Sequence, residues 1–333
     1  MNQVEQSVTE YVDEVWEDVV ADIEQLVSYP SVAVAANAEL GAPFGRPVRD
    51  ALDCALGIAQ KLGYQTSDDE GYVGIADIPG RGDKQLATIC HVDVVPAGPG
   101  WNTDPFAMER REGWLLGRGA VLSLYAGAYL LKHGIVPRYT FRALLGCDEE
   151  VGMSDVHHYL ENYANPDFLF TPDAEFPVCN AEKGQFGATF VSPKIDGGRI
   201  VSWSGSEASN AIPSQSICEL AIAADELPAP VENVDRLEIT ALDNGHAQIF
   251  AHGIGGHASM PEGTINAVGL IVSYLREAED AFGARDERLL TPAEHEFVKF
   301  LAFVHADAYG RGLGIDATSP AFGPLTCNAG VIR

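Results

Sequence analysis

Three things are scarce in this 333-residue chain, and each scarcity excludes a class of protein. Basic residues are few: 21 Lys and Arg stand against 48 Asp and Glu, a formal charge of −27. The acid is spread along the chain, so its summed field repels polyanions and argues against nucleic acid or an anionic membrane as a partner. Long apolar runs are missing, and none approaches the ~20 residues of a membrane-spanning helix. Cysteine pairs are missing too. Cys54, Cys90, Cys147, Cys179, Cys218 and Cys327 form no C-x-x-C. They read as reduced thiols in apolar surroundings, not as a disulfide framework. The N-terminal MNQVEQSVTEYVDEVW is acidic and amphipathic, unlike a secretory signal. A soluble cytoplasmic protein is expected.

What is present is apolar content enough for a large core, 46% of residues, and a length that favours two domains. Val8, Val12, Val15, Trp16, Val19, Ile23 and Leu26 recur at helical spacing, which predicts a helix over 5–28. A second helix is predicted over 48–62. Strands follow at 72–78, 85–90, 139–147 and 167–170, with helices at 121–133 and 154–163. Such alternation specifies an α/β domain with a mostly parallel sheet flanked by helices. After Gly184 the texture becomes strand-like over 186–252, with a helix at 266–281. The expected domains are 1–184 and an α+β lid over 185–333. The closing PLTCNAGVIR reads as a strand that stops, so part of the fold is expected to be absent.

Three polar clusters fall just past predicted strand ends: His91 and Asp93, then Asp148-Glu149-Glu150, then Asp173 and Glu175. Ligand crevices of open α/β sheets lie at the carboxyl ends of the strands, so the three clusters converge there. The chemistry they suit is metal-assisted hydrolysis. Zinc accepts imidazole nitrogen and carboxylate oxygen, and a carboxylate beside a ligating imidazole orients it. Of two adjacent acids, one can bind metal while the other takes a proton from water. The alternative for Glu149-Glu150 is an acid pair at a helix N-terminus, stabilised by the dipole.

The other candidates carry less. His157 and His158 lie on a short predicted helix and read as solvated. His133 reads as a helix-end cap. His295 lies in AEHEFVKF, which lacks the H-E-x-x-H spacing. His246 and His252 have no evident partner, and Arg118 is either functional or an ion-pair partner. His257 sits in the Gly-rich GIGGHASMPEGTINA, as a site residue or an ordinary loop histidine.

CHVDVVPAGPGWNTDPF, GRG, GCDEEVG and FTPDAEFPVCNAEKG occur in order along the chain. They resemble the zinc exopeptidase family of peptidase V, carnosinase, carboxypeptidase G and succinyl-diaminopimelate desuccinylase, and the peptidase V dipeptidase branch most. The resemblance implies two zinc ions per active site and a small peptide as substrate, in a monomer or homodimer. Manganese or cobalt would also suit these ligands. It further implies that His91 and Asp173 bind one metal and Glu150 the other. Asp93 would orient His91, and Glu149 would be the general base. Asn210 and His257, on the lid, would contact the substrate or its developing oxyanion.

The chain also departs from the family. After the Gly-Arg-Gly turn the family has an Asp that bridges both metals. Here Ala120 runs straight into Val121-Leu122-Ser123-Leu124-Tyr125, already the body of a helix. A His ligand and a substrate-binding Arg would come from beyond Arg333. Two dications about 3.5–4 Å apart need a shared anion, so one weak site from His91 and Asp173 is expected, and no dipeptide turnover. Two further readings stand beside the dipeptidase: an N-acyl amino-acid deacylase or desuccinylase of the same family, and a catalytically inactive homologue.

Overall fold

The computed structural model describes residues 3–97, 102–111, 114–116, 120–173, 178–179, 181–205 and 209–333. Arg118, with its Gly-Arg-Gly turn, and Glu175 lie outside the described residues. The chain divides into two compact units, Met1–Asn180 and Ala181–Arg333.

The first unit opens with α1 (Gln3–Val27), which buries Tyr11, Val19, Val20, Ile23, Leu26 and Val27. Next comes α2 (Arg46–Lys61), whose Pro47 fits the first turn because its missing N–H is not needed there. Strands β1 (Gln65–Asp69) and β2 (Val73–Ile78) form a hairpin, turning through Glu70 and Gly71 at φ of 54° and 80°. Then follow β3 (Gln85–His91), the short β4 (Glu109–Arg111) and β5 (Trp114–Leu116), α3 (Ala120–Lys132), β6 (Thr140–Gly146), α4 (Ser154–Asn162) and β7 (Phe168–Phe170).

The main sheet runs β1-β2-β6-β3-β7. β1 and β2 are antiparallel to their neighbours, while β6, β3 and β7 are mutually parallel. The parallel part is built by crossovers through α3 and α4, as parallel strands require. That connectivity puts the carboxyl ends of β3, β6 and β7 along one edge. β1 escapes a reading by apolar alternation, since its QTSDD is wholly polar. The core joins α1, α2 and α3 to one sheet face through Leu26, Leu52, Ala76, Leu124, Ala143 and Leu145.

The second unit holds β8 (Ile200–Ser204), β9 (Ala211–Ile212), β10 (Gln215–Leu220), β11 (Leu237–Ala241), β12 (Ala247–His252) and β13 (Gly256–His257). It continues with α5 (Ala267–Gly283) and α6 (Pro292–Val304). An antiparallel sheet, β11-β12-β10-β8, packs Cys218, Leu220 and Ile249 against Ile271, Leu275 and Val298 of the helices.

Three local expectations are corrected here. Residues 181–199 carry no strand, although 186–252 reads as strand-like throughout. The closing 325–333 is not a strand either; isolated bonds hold it, among them Cys327 N–H to the Ala308 carbonyl and Gly205 N–H to the Ile332 carbonyl. α6 has no counterpart among the predicted helices, yet Thr291-Pro292-Ala293-Glu294 is a full capping box with Pro at the first turn. Among the described residues no helix is long and apolar enough to cross a membrane.

Candidate active site

β3 delivers His91 to the carboxyl edge of the sheet, opposite Gly146 at the end of β6. Beyond it, the Val92 N–H donates to the Gly146 carbonyl at 2.8 Å, and the Ser31 hydroxyl donates to the Val92 carbonyl at 2.5 Å. The chain is thereby pinned where it turns to Asp93, which is fully buried. The Asp93 carboxylate accepts the amide N–H of Glu149 at 3.3 Å and of Glu150 at 3.1 Å. One side chain thus ties the end of β3 to the turn after β6.

His91 Nδ1 lies 3.0 Å from the Asp93 backbone carbonyl and 3.3 Å from its carboxylate. Both partners are acceptors, so Nδ1 carries a proton. That leaves Nε2 facing Asp173 Oδ2 at 2.9 Å and Glu149 Oε2 at 3.8 Å. Burial alone would lower the His91 pKa. The Asp93 hydrogen bond and the charges of Asp93, Asp173 and Glu149 outweigh it and raise it to about 9. The pocket is therefore built for positive charge at Nε2. Ligand atoms of His91, Glu149 and Glu150 all lie within 4.8 Å of one another, close enough to share one ion. Imidazole nitrogen with carboxylate oxygens is a donor set that fits zinc-type cations.

The Glu149 carboxyl is pushed above its ordinary range by burial, with Glu150, Asp93 and Asp173 adding to the rise and His91 opposing it. A raised carboxyl can accept a proton at neutral pH, as a general base must. The reading of Glu149-Glu150 as helix-terminal acids is not what the structure shows, because α4 starts only at Ser154. The acids at that terminus are Asp148, which accepts from the Ser154 N–H and hydroxyl, and Asp155, which accepts from the amides of Cys147 and Asp148. Those four bonds clamp the turn that presents Glu149 and Glu150.

The chain is helical from Ala120 onward, and no acidic residue stands in the first turn of α3. Val121, Leu124 and Tyr125 are buried, and the Tyr125 hydroxyl donates to Asp22 at 2.7 Å. α3 is packed into the core of the first unit.

The structure thus brings together His91, Asp93, Glu149, Glu150 and Asp173 in the first unit. Asn210 and His257 belong to the second unit, where they meet on a short ribbon. β13 pairs with β9, His257 opposite Ala211, and the Ala258 N–H donates to the Asn210 carbonyl at 2.8 Å. Asn266 caps α5 and donates to Asn328, which in turn donates to the Ala211 carbonyl. Sequence reasoning missed Ser259. Its N–H and hydroxyl both reach His257 Nδ1, and its only signal was a His-x-Ser spacing parallel to His91-x-Asp93.

Five other histidines find structural partners. His158 is not solvated: it stacks on Tyr72 at 4.1 Å and lies 3.1 Å from Asp69, without hydrogen-bond geometry. His133 packs on Tyr129, His246 lies 2.6 Å from Glu219, His252 lies 2.9 Å from Glu238, and His295 lies 2.7 Å from Glu279.

Residues 87–322 match the model of peptidase family M20/M25/M40. A putative dipeptidase of Bacillus subtilis (strain 168) is 30% identical over 95% of this chain and 70% of its own length. The Beta-Ala-Xaa dipeptidase of Lactobacillus delbrueckii subsp. lactis is 32% identical over 89% of this chain and 64% of its own. The crystal structure of human carnosine dipeptidase 1 aligns with a TM-score of 0.44 and 20% identity, over 51% of this chain and 41% of that one. With the matched segment covering more than half its length, the chain belongs to peptidase family M20/M25/M40, a family of peptide-bond hydrolases.

Proposed function

We propose that this chain is a metal-dependent dipeptidase whose metal centre is the carboxyl-edge cluster of the first unit. The observation that carries the reading is the convergence of His91, Asp93, Glu149, Glu150 and Asp173 at the ends of three parallel strands. The names of the two bacterial relatives support the choice of dipeptides.

In this reading His91, Asp173 and Glu150 would hold the metal, zinc or an ion of similar ligand preference. The ion would supply Lewis acidity toward the scissile carbonyl and toward the attacking water. Glu149 takes the proton of that water and returns it to the leaving amine. Asp93 holds His91 in the tautomer that presents Nε2. Asn210 and His257 donate to the peptide oxygen as its charge develops. Six scattered cysteines with no C-x-x-C among them support a cytoplasmic location.

The chain as it stands is impaired in this reading, because Gly119-Ala120-Val121 supplies no carboxylate to be shared between two ions. Grafting a short Asp-containing loop between Ala120 and Val121 is the direct test. With zinc present, the graft is expected to hydrolyse dipeptides with a free amino end, β-Ala-Xaa among them, faster than the parent does. The parent should not approach the rate of the Lactobacillus relative. A parent as fast as that relative would overturn the impairment. A graft that cleaves N-acyl amino acids and leaves dipeptides intact would overturn the substrate class.

A further inference from the structure

The Ser259 backbone N–H donates to His257 Nδ1 at 3.2 Å, and the Ser259 hydroxyl lies 2.6 Å from the same nitrogen. A backbone N–H can only donate, so Nδ1 must be the lone-pair nitrogen. The hydroxyl can rotate and therefore donates to it as well. In a neutral imidazole the proton then resides on Nε2. We infer that Ser259 is a positioning residue that fixes His257 as its Nε2–H tautomer, making the ring a hydrogen-bond donor toward an oxygen of the bound peptide. The functional half of this inference rests on the dipeptidase reading above.

His91 has the reverse arrangement. At His91 the partner of Nδ1 is a carbonyl oxygen at 3.0 Å, which holds a proton on Nδ1 and leaves Nε2 as the nitrogen turned toward Asp173. His257 has the opposite arrangement, and its Nε2 could not serve a metal without loss of its proton. Two histidines, each with its partner two residues further on, are thus set to opposite tasks by the sign of one hydrogen bond. The two neutral tautomers are close in intrinsic energy, so even one net hydrogen bond biases them by about tenfold. The backbone that carries the ring is anchored: β13 is tied to β9 through His257 and Ala211, and Ala211 is held by Asn328.

The test is 15N NMR of the imidazole nitrogens in the full chain at alkaline pH, with His257→Gln used to assign the signals. Wild type is expected to show a pyridine-type Nδ1 and a pyrrole-type Nε2 in one tautomer. Ser259→Ala, which keeps the backbone donor and removes the hydroxyl, should move the Nδ1 signal only part of the way toward that of a free imidazole, and Ser259→Thr, which keeps both donors, should restore the wild-type signature. A pyrrole-type Nδ1 in wild type, or ring signals unchanged in Ser259→Ala, would overturn the inference. The readout needs neither metal nor turnover. Failure of the dipeptidase reading would therefore leave the tautomer result standing, and a failed tautomer result would leave zinc binding untouched.

Discussion

The Asp93 carboxylate accepts the Glu150 amide at 3.1 Å through one oxygen and the Glu149 amide at 3.3 Å through the other. A buried side chain from the end of β3 thereby organises the turn after β6, as well as the imidazole two residues before it. Asp93→Ala should leave two amides unsatisfied and destabilise the first unit by about 2–4 kcal/mol. The Asp93→Asn variant, which keeps one acceptor oxygen, should fall between. Urea titration monitors this, and a loss below about 0.5 kcal/mol for the Ala variant would place the organising role elsewhere.

Glu149 and Glu150 both stand within ligand distance of His91, so geometry alone does not divide their labour. In the proposed reading Glu150 binds metal and Glu149 transfers the proton. Glu150→Gln should weaken zinc binding by more than the 10–100-fold typical of outer partners. Glu149→Gln should leave affinity nearly intact while removing any hydrolysis that the loop graft restores. Isothermal titration of the two variants separates the roles, and equal losses of affinity would mean that both ligate.

Gly127 lies inside α3, where Ala ordinarily gains about 1 kcal/mol over Gly. Here a Cβ would run into the Tyr64 hydroxyl and come within 2.6 Å of Phe141 Cε1. It would also threaten the bond from that hydroxyl to the Leu124 carbonyl, at 2.6 Å. Overpacking of about 1–3 kcal/mol together with a strained hydrogen bond outweighs the propensity gain. Gly127→Ala should therefore lower the melting temperature. A rise would show that α3 has room to shift.

His305 is the buried group that makes stability depend on mildly acid pH. Its Nε2 is buried without a hydrogen-bond partner, and desolvation lowers its pKa to about 4. The unfolded imidazole titrates near 6.5. Between those values the unfolded chain binds the extra proton, so stability is full above about 6.5 and falls as pH drops toward 4. The loss is on the order of 3 kcal/mol at most. Denaturation of the second unit at a series of pH values should show this slope, and His305→Phe should flatten it. An equal slope in the variant would assign it to other groups.

Much of the fold was legible in the sequence because it was written in periodicity. The helical stripe from Val8 to Leu26 gave α1, and the apolar runs gave β2, β3 and β6. The polar β1 escaped because an edge strand needs no apolar alternation, and its hairpin partner decides its pairing. The segment 181–199 misled in the other direction, since strand-like composition does not itself supply a pairing partner. The site was legible at the level of clusters following strands, because parallel topology carries such ends to one edge. Sequence did not reveal that Asp93 reaches the Glu149 and Glu150 amides, 56 and 57 residues away. Nor did it separate Asp148, which clamps α4, from its acidic neighbours. Those distinctions depend on which carboxylate faces which N–H, a property of the folded turn.

The most direct test of the whole account is zinc bound per chain, measured after dialysis against zinc, for the wild type and for His91→Ala. The account predicts one weakly held ion in the wild type and none in the variant. No zinc in the wild type, or the same content in His91→Ala, would contradict a metal centre at the carboxyl edge of β3. Two tightly held ions would contradict the claim that the missing carboxylate after Gly119 disables it.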